Sequence, residues 1–371
     1  MRIAHIGTRG LGSNYGGIER CVDAICPILA AMGHEVDVFG RSDIRFENRD
    51  GLRHVPIPGF RSKHFENLTR SAIATLLAVK RYDIVHFHAI GPGALSLFTA
   101  LFGQRSVVTI HGLDHRRAKW GRLARILLRA GERTLITCAD QITVVSSTLA
   151  DHYQKEYGIR TIHTPNGLPS VRSLKPGAFL RTLGLKGGDY ILFASRLTPE
   201  KGCHDLIEAF KRIRTTRKLV IAGDGTAPDY VRSLHRGGQQ DNIVFVGHRS
   251  GNELAELFSN AYLFVLPSYL EGMSQALLES ISYRIPALVS DIEENLEIIG
   301  GYGFWVPNGN ITMLGLKLEH LLNSPGLVAE MADRLQGVQM DDWDEVAKKY
   351  NEIYRNVARS APAAVAVPDR L

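Results

Sequence analysis

Two cations and two carboxylates in the second half of the chain have the types and order needed to bind a phosphorylated, hydroxyl-rich ligand. Arg196 and Lys201 follow an apolar run, and Glu271 and Glu279 stand eight residues apart further along. Arginine offers a planar fork of donors and lysine a mobile point charge, so this pair suits a diphosphate. Carboxylates accept hydrogen bonds from hydroxyl groups and suit a sugar or a ribose. By spacing alone, the two glutamates are more simply read as exposed charges on a helix.

Short glycine-containing segments follow several predicted strands. Gly16 and Gly17 lie between the first predicted strand and a helix, Gly223 begins a Gly-Asp-Gly turn, and Gly272-Met273-Ser274 opens the helix that carries Glu279. Glycine lets the backbone approach a ligand closely, and the free N–H groups of a helix start favour an anion. The first segment lacks the G-x-G-x-x-G spacing, which argues against a dinucleotide site. A tight turn that needs backbone freedom is the alternative.

Three histidines lie on two predicted strands in the first half. His111 ends one strand, where it could contact a reacting sugar or be satisfied by local hydrogen bonds. His86 and His88 are two residues apart on another strand and therefore point to the same face. His86 and His88 could both bind a metal ion. However, no third ligand stands at a suitable spacing in the sequence, so we predict no metal site.

A basic segment follows His111. Its tryptophan and cationic residues are Arg116, Arg117, Lys119, Trp120, Arg122, Arg125, Arg129 and Arg133. Only one acid, Glu132, accompanies them, and leucines populate the other side of the predicted helix. A basic amphipathic helix with tryptophan near one end is typical of a membrane surface element. A core helix with a charged outer face is the alternative. We predict an anionic membrane surface and not nucleic acid as the partner, because no aromatic stacking pattern accompanies the charges.

The elements that would position these residues alternate between β-branched runs and longer amphipathic runs. This alternation predicts an α/β protein with two Rossmann-like doubly wound domains facing a cleft. We place the first domain at 1–168 and the second at 169–342, since the pattern restarts after a segment rich in Pro, Gly and Asn. A helix near 343–359 is expected to cross back onto the first domain, and 360–371 to form a loose tail. Ligands of such sheets bind at the carboxyl ends of strands, where the candidate residues fall.

Composition places the chain among ordinary globular proteins. Its 371 residues fit two domains, and 44% are hydrophobic. Residues 1–170 contain 22 of the 44 Lys and Arg but 14 of the 38 Asp and Glu, so the first half should face something anionic. The four cysteines form no C-x-x-C pair, no secretory signal is evident, and the apolar run 84–101 is interrupted by His, Gly and Pro. We expect a cytoplasmic protein, peripheral at the inner face of the cytoplasmic membrane.

Taken in order, these residues resemble family 4 of the retaining glycosyltransferases, which have the two-domain GT-B fold. The elements that carry the resemblance are Gly16-Gly17-x-Glu19, His111, Pro165-Asn166-Gly167, Arg196 with Lys201, Gly223-Asp224-Gly225, and Glu271 with Glu279. They span nearly the whole chain. The opening Ile6-Gly7-Thr8-Arg9-Gly10 and Tyr15-Gly16-Gly17 resemble members that act in bacterial surface polysaccharide synthesis.

The resemblance implies a nucleotide-sugar substrate, no cofactor and metal-independent transfer of a hexosyl or deoxyhexosyl group to a lipid-linked or oligosaccharide acceptor. It assigns the diphosphate to Arg196 and Lys201, the donor sugar to Glu271 and His111, the ribose to Glu279, the phosphates to Gly17 and the nucleobase to His248. Met273-Ser274-Gln275 departs from the triplet of many members, which leaves the donor open.

Two other functions remain compatible with the same residues. A GT-B nucleotide-sugar epimerase would consume the donor without an acceptor. A non-catalytic sugar-nucleotide-binding protein would bind the donor and transfer nothing. A nicotinamide-dependent oxidoreductase is disfavoured because the dinucleotide fingerprint is absent.

Overall fold

The chain divides into two compact units. In the computed structural model, the first unit contains Met1–Gly167 and the segment that begins at Asp341, and the second contains Leu168–Met340. The structure describes residues 1–13, 16–58, 66–116 and 121–360. Four residues or segments singled out in the sequence lie outside the described residues, namely Tyr15, Arg117, the pair Lys119 and Trp120, and the tail 361–371.

The first unit is built on one parallel sheet. Its strands are β1 (Arg2–Ile6), β2 (Glu35–Arg41), β3 (Leu52–Ile57), β4 (Ile84–His88), β5 (Ser106–Ile110), β6 (Gln141–Val144) and β7 (Ile162–His163). The sheet order is β3-β2-β1-β4-β5-β6-β7, and every pairing between these strands is parallel. The connecting helices are α1 (Gly17–Ala31), α2 (Glu66–Ala78), α3 (Ile90–Gly93), α4 (Ser96–Leu101), α5 (Arg122–Cys138) and α6 (Ser147–Tyr157). The order reverses between β1 and β4, which is the switch point where such sheets bind ligands.

The second unit repeats this plan with six strands. They are β8 (Tyr190–Ala194), β9 (Lys218–Ala222), β10 (Ile243–Gly247), β11 (Leu263–Leu266), β12 (Ala287–Ser290) and β13 (Phe304–Val306), in the order β10-β9-β8-β11-β12-β13. The helices are α7 (Ala178–Thr182), α8 (Cys203–Phe210), α9 (Pro228–Gly237), α10 (Gly251–Asn260), α11 (Gln275–Ser282), α12 (Glu293–Ile299), α13 (Ile311–Leu322) and α14 (Pro325–Arg334). Here the switch point lies between β8 and β11. The predicted α/β class with two doubly wound sheets is confirmed.

The last helix, α15 (Trp343–Arg359), belongs to the first unit and packs on α1. A capping box starts it: the Asp342 carboxylate accepts from the Glu345 N–H at 2.9 Å, and the Glu345 carboxylate accepts from the Asp342 N–H at 3.2 Å. The sequence of this segment predicts one apolar helical stripe of Trp343, Val346, Ala347, Tyr350, Ile353 and Tyr354. Five of these residues are buried and Trp343 is partly buried, and Tyr350 and Tyr354 are almost fully enclosed. Gly167 makes the approach to this helix feasible, since a Cβ there would lie 2.6 Å from the Trp343 nitrogen.

Several element boundaries differ from the sequence expectation. The sequence pattern of 92–103 predicts a single helix, but the structure has two short helices, α3 and α4, joined by tight turns in which the Leu95 N–H donates to the Pro92 carbonyl at 2.9 Å. β13 and the helices α7, α12 and α14 were not predicted. β13 has three residues and α7 five, too few to show a period.

All four cysteines are buried and unpaired. Among the described residues, no helix is both long enough and apolar enough to cross a bilayer.

Candidate functional site

The carboxyl edge of the second sheet carries most of the predicted site residues, because parallel strands all end at the same edge. Arg196 and Lys201 follow β8, Gly223 follows β9, His248 follows β10, and Glu271 follows β11. β8 and β11 are the neighbours at which the strand order reverses. Lys201 and Glu271 therefore come from the two sides of the switch point, where doubly wound sheets bind their ligands.

Two glycines allow the loops at this edge to pack against each other. Gly202 has φ +67°, and a Cβ on it would lie 2.0 Å from the carbonyl oxygen of Pro267, in the loop after β11. Gly223 has φ +153°, and a Cβ there would lie 1.9 Å from the Ser195 carbonyl oxygen after β8. Neither position tolerates a side chain without backbone movement. The predicted close approach at Gly223 is thus an approach to the neighbouring loop.

Lys201 and Glu271 form a buried ion pair. The lysine Nζ lies 2.5 Å from Glu271 Oε2, and the two side chains are 12% and 5% exposed. The other carboxylate oxygen, Oε1, accepts a hydrogen bond from the Ser268 hydroxyl at 2.7 Å. Both oxygens of Glu271 are therefore engaged. A buried charge is tolerated only when it is paired and hydrogen-bonded in this way.

A second layer of buried polar residues holds Ser268 and was not identified from the sequence. The Ser290 hydroxyl donates to the Ser268 carbonyl, and the Asn295 amide donates to Ser290 Oγ at 3.1 Å. Ser268, Ser290 and Asn295 are each at most 1% exposed. Serine and asparagine are mostly exposed in proteins, so only their burial marks them as part of the site.

The start of α11 corrects one expectation. The helix begins at Gln275 and not at 273, and Ser274 is its N-cap, with Oγ accepting from the Leu277 N–H at 3.4 Å. Gly272 and Met273 therefore belong to the preceding loop, and one N–H group of the first turn is already satisfied. Glu279 lies inside α11 and is half-buried.

Arg196 is half-buried and His248 is exposed. Within the described part of the chain, neither side chain has a hydrogen-bond or ion-pair partner. The structure thus brings Lys201 and Glu271 into direct contact and places Arg196, Gly223 and His248 at the same edge of the sheet.

In the first unit, Gly16 and Gly17 begin α1 at the switch point of that sheet. Gly16 is the N-cap in extended conformation and provides no side-chain cap. Glu19 is buried, and its carboxylate accepts from the Arg9 N–H at 3.2 Å, which ties the helix start to the segment after β1. The uncapped first turn has N–H groups suited to an anion.

His111 lies at the carboxyl end of β5 and joins a row of buried histidines. His111 Nε2 lies 3.1 Å from His88 Nδ1, and His88 Nε2 lies 3.0 Å from His5 Nδ1. His5 comes from β1 and was not identified in the sequence, because only the sheet register sets it opposite His86. Burial lowers the pKa of His5 to about 3 and holds the pKa values of His86 and His88 well below their usual range.

The ligand-type atoms of His5, His86 and His88 lie within 4.8 Å of one another. However, both ring nitrogens of His86 are occupied: Nδ1 lies 2.7 Å from the Tyr354 hydroxyl and Nε2 lies 2.6 Å from the Thr109 hydroxyl. This arrangement fits a hydrogen-bond network better than a metal site, since His86 has no nitrogen to spare for an ion.

The basic segment forms α5, which is described from Arg122 onward. Arg122, Arg125 and Arg129 are exposed, and so are Leu123, Ile126 and Leu127 between them, at 61–71%. Arg116 ends a short 3-10 turn before it. Among the described residues of this region, both the apolar and the basic side chains of the first half of α5 are therefore exposed. Glu132, the single acid, is buried and accepts from the Tyr153 hydroxyl at 2.5 Å.

Comparison with protein families and known proteins gives matches over both halves of the chain. Residues 15–170 match the family model described as Glycosyltransferase Family 4, and residues 181–336 match the model described as Glycosyl transferases group 1. The chain is similar to the glycogen synthase of Mycobacterium tuberculosis, with 28% identity over 395 residues that cover 91% of each protein. An uncharacterized glycosyltransferase of Methanocaldococcus jannaschii is 26% identical over 380 residues, which cover 92% of this chain and 94% of that protein.

Solved structures share the fold. HepE of Anabaena, in complex with UDP-glucose, superposes with a TM-score of 0.79 at 17% identity and covers 96% of this chain and 100% of its own. WaaG, a glycosyltransferase involved in lipopolysaccharide biosynthesis, gives a TM-score of 0.76 at 18% identity over 95% of this chain and 99% of its own. These similarities confirm the GT-B fold class.

Proposed function

We propose that this chain, which belongs to the glycosyltransferases that these two family models describe, transfers a sugar from a nucleoside-diphosphate donor to a lipid-linked or oligosaccharide acceptor with retention of anomeric configuration. The setting is bacterial polysaccharide synthesis. The observation that carries the proposal is the buried Lys201–Glu271 pair at the switch point of the second sheet. The similarity to glycogen synthase, to a UDP-glucose complex and to a lipopolysaccharide enzyme supports the donor and product classes.

In this proposal the cations bind the leaving group. Lys201, held by Glu271, and Arg196, with no partner among the described residues, contact the diphosphate oxygens, on which negative charge grows as the sugar leaves. Fixed positive charges at that position stabilise the transition state because they need no reorganisation during the reaction. Glu271 and Glu279 accept hydrogen bonds from the hydroxyls of the donor sugar and of the ribose.

In this proposal the acceptor oxygen attacks the anomeric carbon on the same face that the diphosphate leaves, and this retains the anomeric configuration. The acceptor oxygen forms a bond to the anomeric carbon, the bond from that carbon to the phosphate oxygen breaks, and the acceptor proton goes to the departing phosphate. A double displacement would need a free carboxylate nucleophile. Glu271 is poorly suited to that role because Lys201 and Ser268 occupy its two oxygens.

The exposed surface of α5 supports peripheral membrane association. We define the α5 surface as Arg122, Leu123, Arg125, Ile126, Leu127 and Arg129. Positively charged arginines beside exposed leucine and isoleucine suit a membrane, whose surface is anionic and whose interior is apolar. α4 packs against α5 and also exposes Leu101, which is 62% exposed. A lipid-linked acceptor would be presented at such a surface.

The proposal is tested by donor screening followed by product analysis. UDP-, GDP- and dTDP-sugars are first compared for thermal stabilisation, since a ligand bound only by the folded protein raises its melting temperature. The stabilising donor is then incubated with and without lipid-linked or oligosaccharide acceptors, and the product linkage is read by NMR. Acceptor-dependent transfer with a retained anomer is expected.

Three results would contradict the proposal. Donor turnover without any acceptor would indicate an epimerase. Binding without turnover across acceptors would indicate a non-catalytic protein. Arg196→Ala and Lys201→Ala variants that both keep a near wild-type kcat/KM would disprove the role given to the cations, with Arg212→Ala, an exposed arginine of the same unit, as the control.

A further inference from the structure

Three imidazoles in the first unit form a continuous hydrogen-bonded row that begins in the core and ends at His111. His5 lies on β1, His88 at the end of β4 and His111 after β5, so the row crosses three adjacent strands at the switch point of the sheet. The ring centres are 5.3 Å apart between His5 and His88 and 5.4 Å apart between His88 and His111. The nitrogen contacts of 3.0 and 3.1 Å are of hydrogen-bond length, so neighbouring rings meet edge to edge through their nitrogens.

The row restricts where each proton can reside. A neutral imidazole has one N–H donor and one acceptor nitrogen, so every ring in a row must donate in the same direction. Burial keeps the two inner rings neutral, since it lowers the pKa of His5 to about 3 and holds that of His88 well below its usual range. Two arrangements remain: all protons directed toward His111, or all directed toward His5.

The inner end of the row distinguishes these arrangements. His5 is fully buried, and its Nε2 has no hydrogen-bond partner among the described residues. If the protons were directed toward His5, this Nε2 would be an N–H group buried without an acceptor, which native proteins strongly avoid. If they are directed toward His111, the same nitrogen is only an unused acceptor.

We propose that His5 and His88 act as a relay that fixes the tautomer of His111, with the proton on Nδ1 and the lone pair of Nε2 accepting from His88. His5 donates from Nδ1 to His88 Nε2, and His88 donates from Nδ1 to His111 Nε2. His111 is then held as an N–H donor at Nδ1 in one ring orientation. His5 and His88 are positioning residues, since they act through His111 and touch no substrate.

His86 lies against this row but is not part of it. Its ring centre is 4.3 Å from that of His88, while its nitrogens contact the Tyr354 and Thr109 hydroxyls. It therefore supports the rings of the row without exchanging a proton with them. The consequence for catalysis depends on the proposed function: an Nδ1–H donor matches an oxygen acceptor on the donor sugar or its phosphates.

The tautomer can be measured on the ligand-free protein, so this test is independent of whether the enzyme transfers a sugar. Long-range ¹H–¹⁵N spectra of protein labelled at histidine distinguish an N–H nitrogen from a lone-pair nitrogen in each ring. The His111 signals are identified by their loss in His111→Asn. We expect the proton on Nδ1 in the wild type. A proton on Nε2 would overturn the proposal without further variants.

Two variants test the relay itself. His88→Leu removes the donor to His111, so both tautomers of His111 should appear. His88→Gln retains an acceptor for His5 and a donor for His111, so the Nδ1–H tautomer should persist. If His88→Leu fails to fold, His5→Leu tests the inner link, and mixed tautomers are again expected. An unchanged His111 spectrum in a folded His88→Leu or His5→Leu protein would refute the relay.

Kinetics and metal content complete the test. Loss of one oriented hydrogen bond should lower kcat about tenfold in His88→Leu with little change in the donor KM, and His88→Gln should restore it. The control is His34→Leu, a buried histidine of the same unit bonded to Asn351 at 2.9 Å and outside the row. An equal fall in His34→Leu would indicate a general packing effect and contradict the relay. A stoichiometric metal ion lost in His5→Leu would also contradict it, because metal ligation uses the lone pairs that the row requires.

Discussion

Acidification from pH 7 to pH 5 should destabilise the first unit because its buried histidines resist protonation. The pKa of His5 is about 3 in the folded protein, against about 6.5 in an unfolded chain. As pH falls below 6.5, the unfolded state takes up the proton first, so the free energy of unfolding decreases. At pH 5 the folded His5 is still neutral, and linkage gives a loss of about 2 kcal/mol from this residue alone.

Other titratable groups of the first unit also change the free energy of unfolding, some lowering it and one raising it. His86 and His88 add to the loss, since burial also holds their pKa values well below the usual range. Asp23 acts in the opposite direction. Burial raises its pKa to about 6, so the folded protein takes up a proton there below that pH, and this adds about 1 kcal/mol to the free energy of unfolding. The loss from His5 exceeds the gain from Asp23, and His86 and His88 act in the same direction as His5, so the net change lowers the free energy of unfolding, which is typically about 5–15 kcal/mol for a folded protein. The first unit should therefore unfold at a lower urea concentration at pH 5 than at pH 7.

Urea unfolding at pH 7, 6 and 5, followed by tryptophan fluorescence, measures this effect. A Trp305→Phe background removes the tryptophan of the second unit, and the two that remain, Trp120 and Trp343, belong to the first. In that background, His5→Phe should show a pH dependence smaller by about 2 kcal/mol between pH 7 and 5. His320→Gln, an exposed histidine of the second unit, is the control. Parallel pH profiles for His5→Phe and its parent would refute the reasoning.

Three further predictions concern the second unit and the α5 surface. Glu271→Gln leaves the Lys201 charge unpaired and should cost about 3 kcal/mol of unfolding free energy, most of which Lys201→Met in the double variant should return; additive losses would contradict the pair. Gly202→Ala should cost at least about 2 kcal/mol, because φ is positive and a Cβ would lie 2.0 Å from the Pro267 carbonyl oxygen. Changing Arg122, Arg125 and Arg129 to glutamine should abolish cosedimentation with anionic vesicles and leave the urea midpoint unchanged.

Matched controls separate these effects from general damage. Gly326→Ala tests the glycine argument at a helical site where a Cβ meets nothing within 4 Å, and it should be neutral or stabilising. Glutamine at Arg212, Arg214 and Arg236, three exposed arginines of the second unit, should leave vesicle binding intact. Equal wild-type binding to neutral and anionic vesicles, or binding to neither, would contradict the membrane assignment.

The sequence predicts the two sheets well because parallel strands are short apolar runs between amphipathic helices. It also groups Arg196, Lys201, Gly223, His248 and Glu271, since residues that follow parallel strands must meet at one edge. The sequence does not predict which of these residues contact each other at that edge. The contact between Lys201 and Glu271 depends on β8 and β11 being neighbours, and this sheet order is not encoded by any local pattern.

The residues missed in the sequence share one property: their role comes from burial and not from type. Ser268, Ser290 and Asn295 are ordinary small polar residues until the fold buries them behind Glu271. His5 looks like any histidine in a first strand until sheet register sets it beside His86 and His88. α11 starts two residues later than the sequence pattern predicts, because Ser274 is a strong N-cap that precedes the helix.

Calorimetric titration of the donor measures the central claim most directly. UDP-glucose and the corresponding GDP- and dTDP-sugars are titrated into the wild type and into Arg196→Ala, Lys201→Met and Arg212→Ala. At least one of these donors should bind the wild type and the Arg212→Ala protein alike, while loss of either site cation should weaken binding tenfold or more, roughly the value of one charge-assisted hydrogen bond. Wild-type affinity in both site variants, or no binding of any donor to the wild type, would contradict a diphosphate site at Arg196 and Lys201.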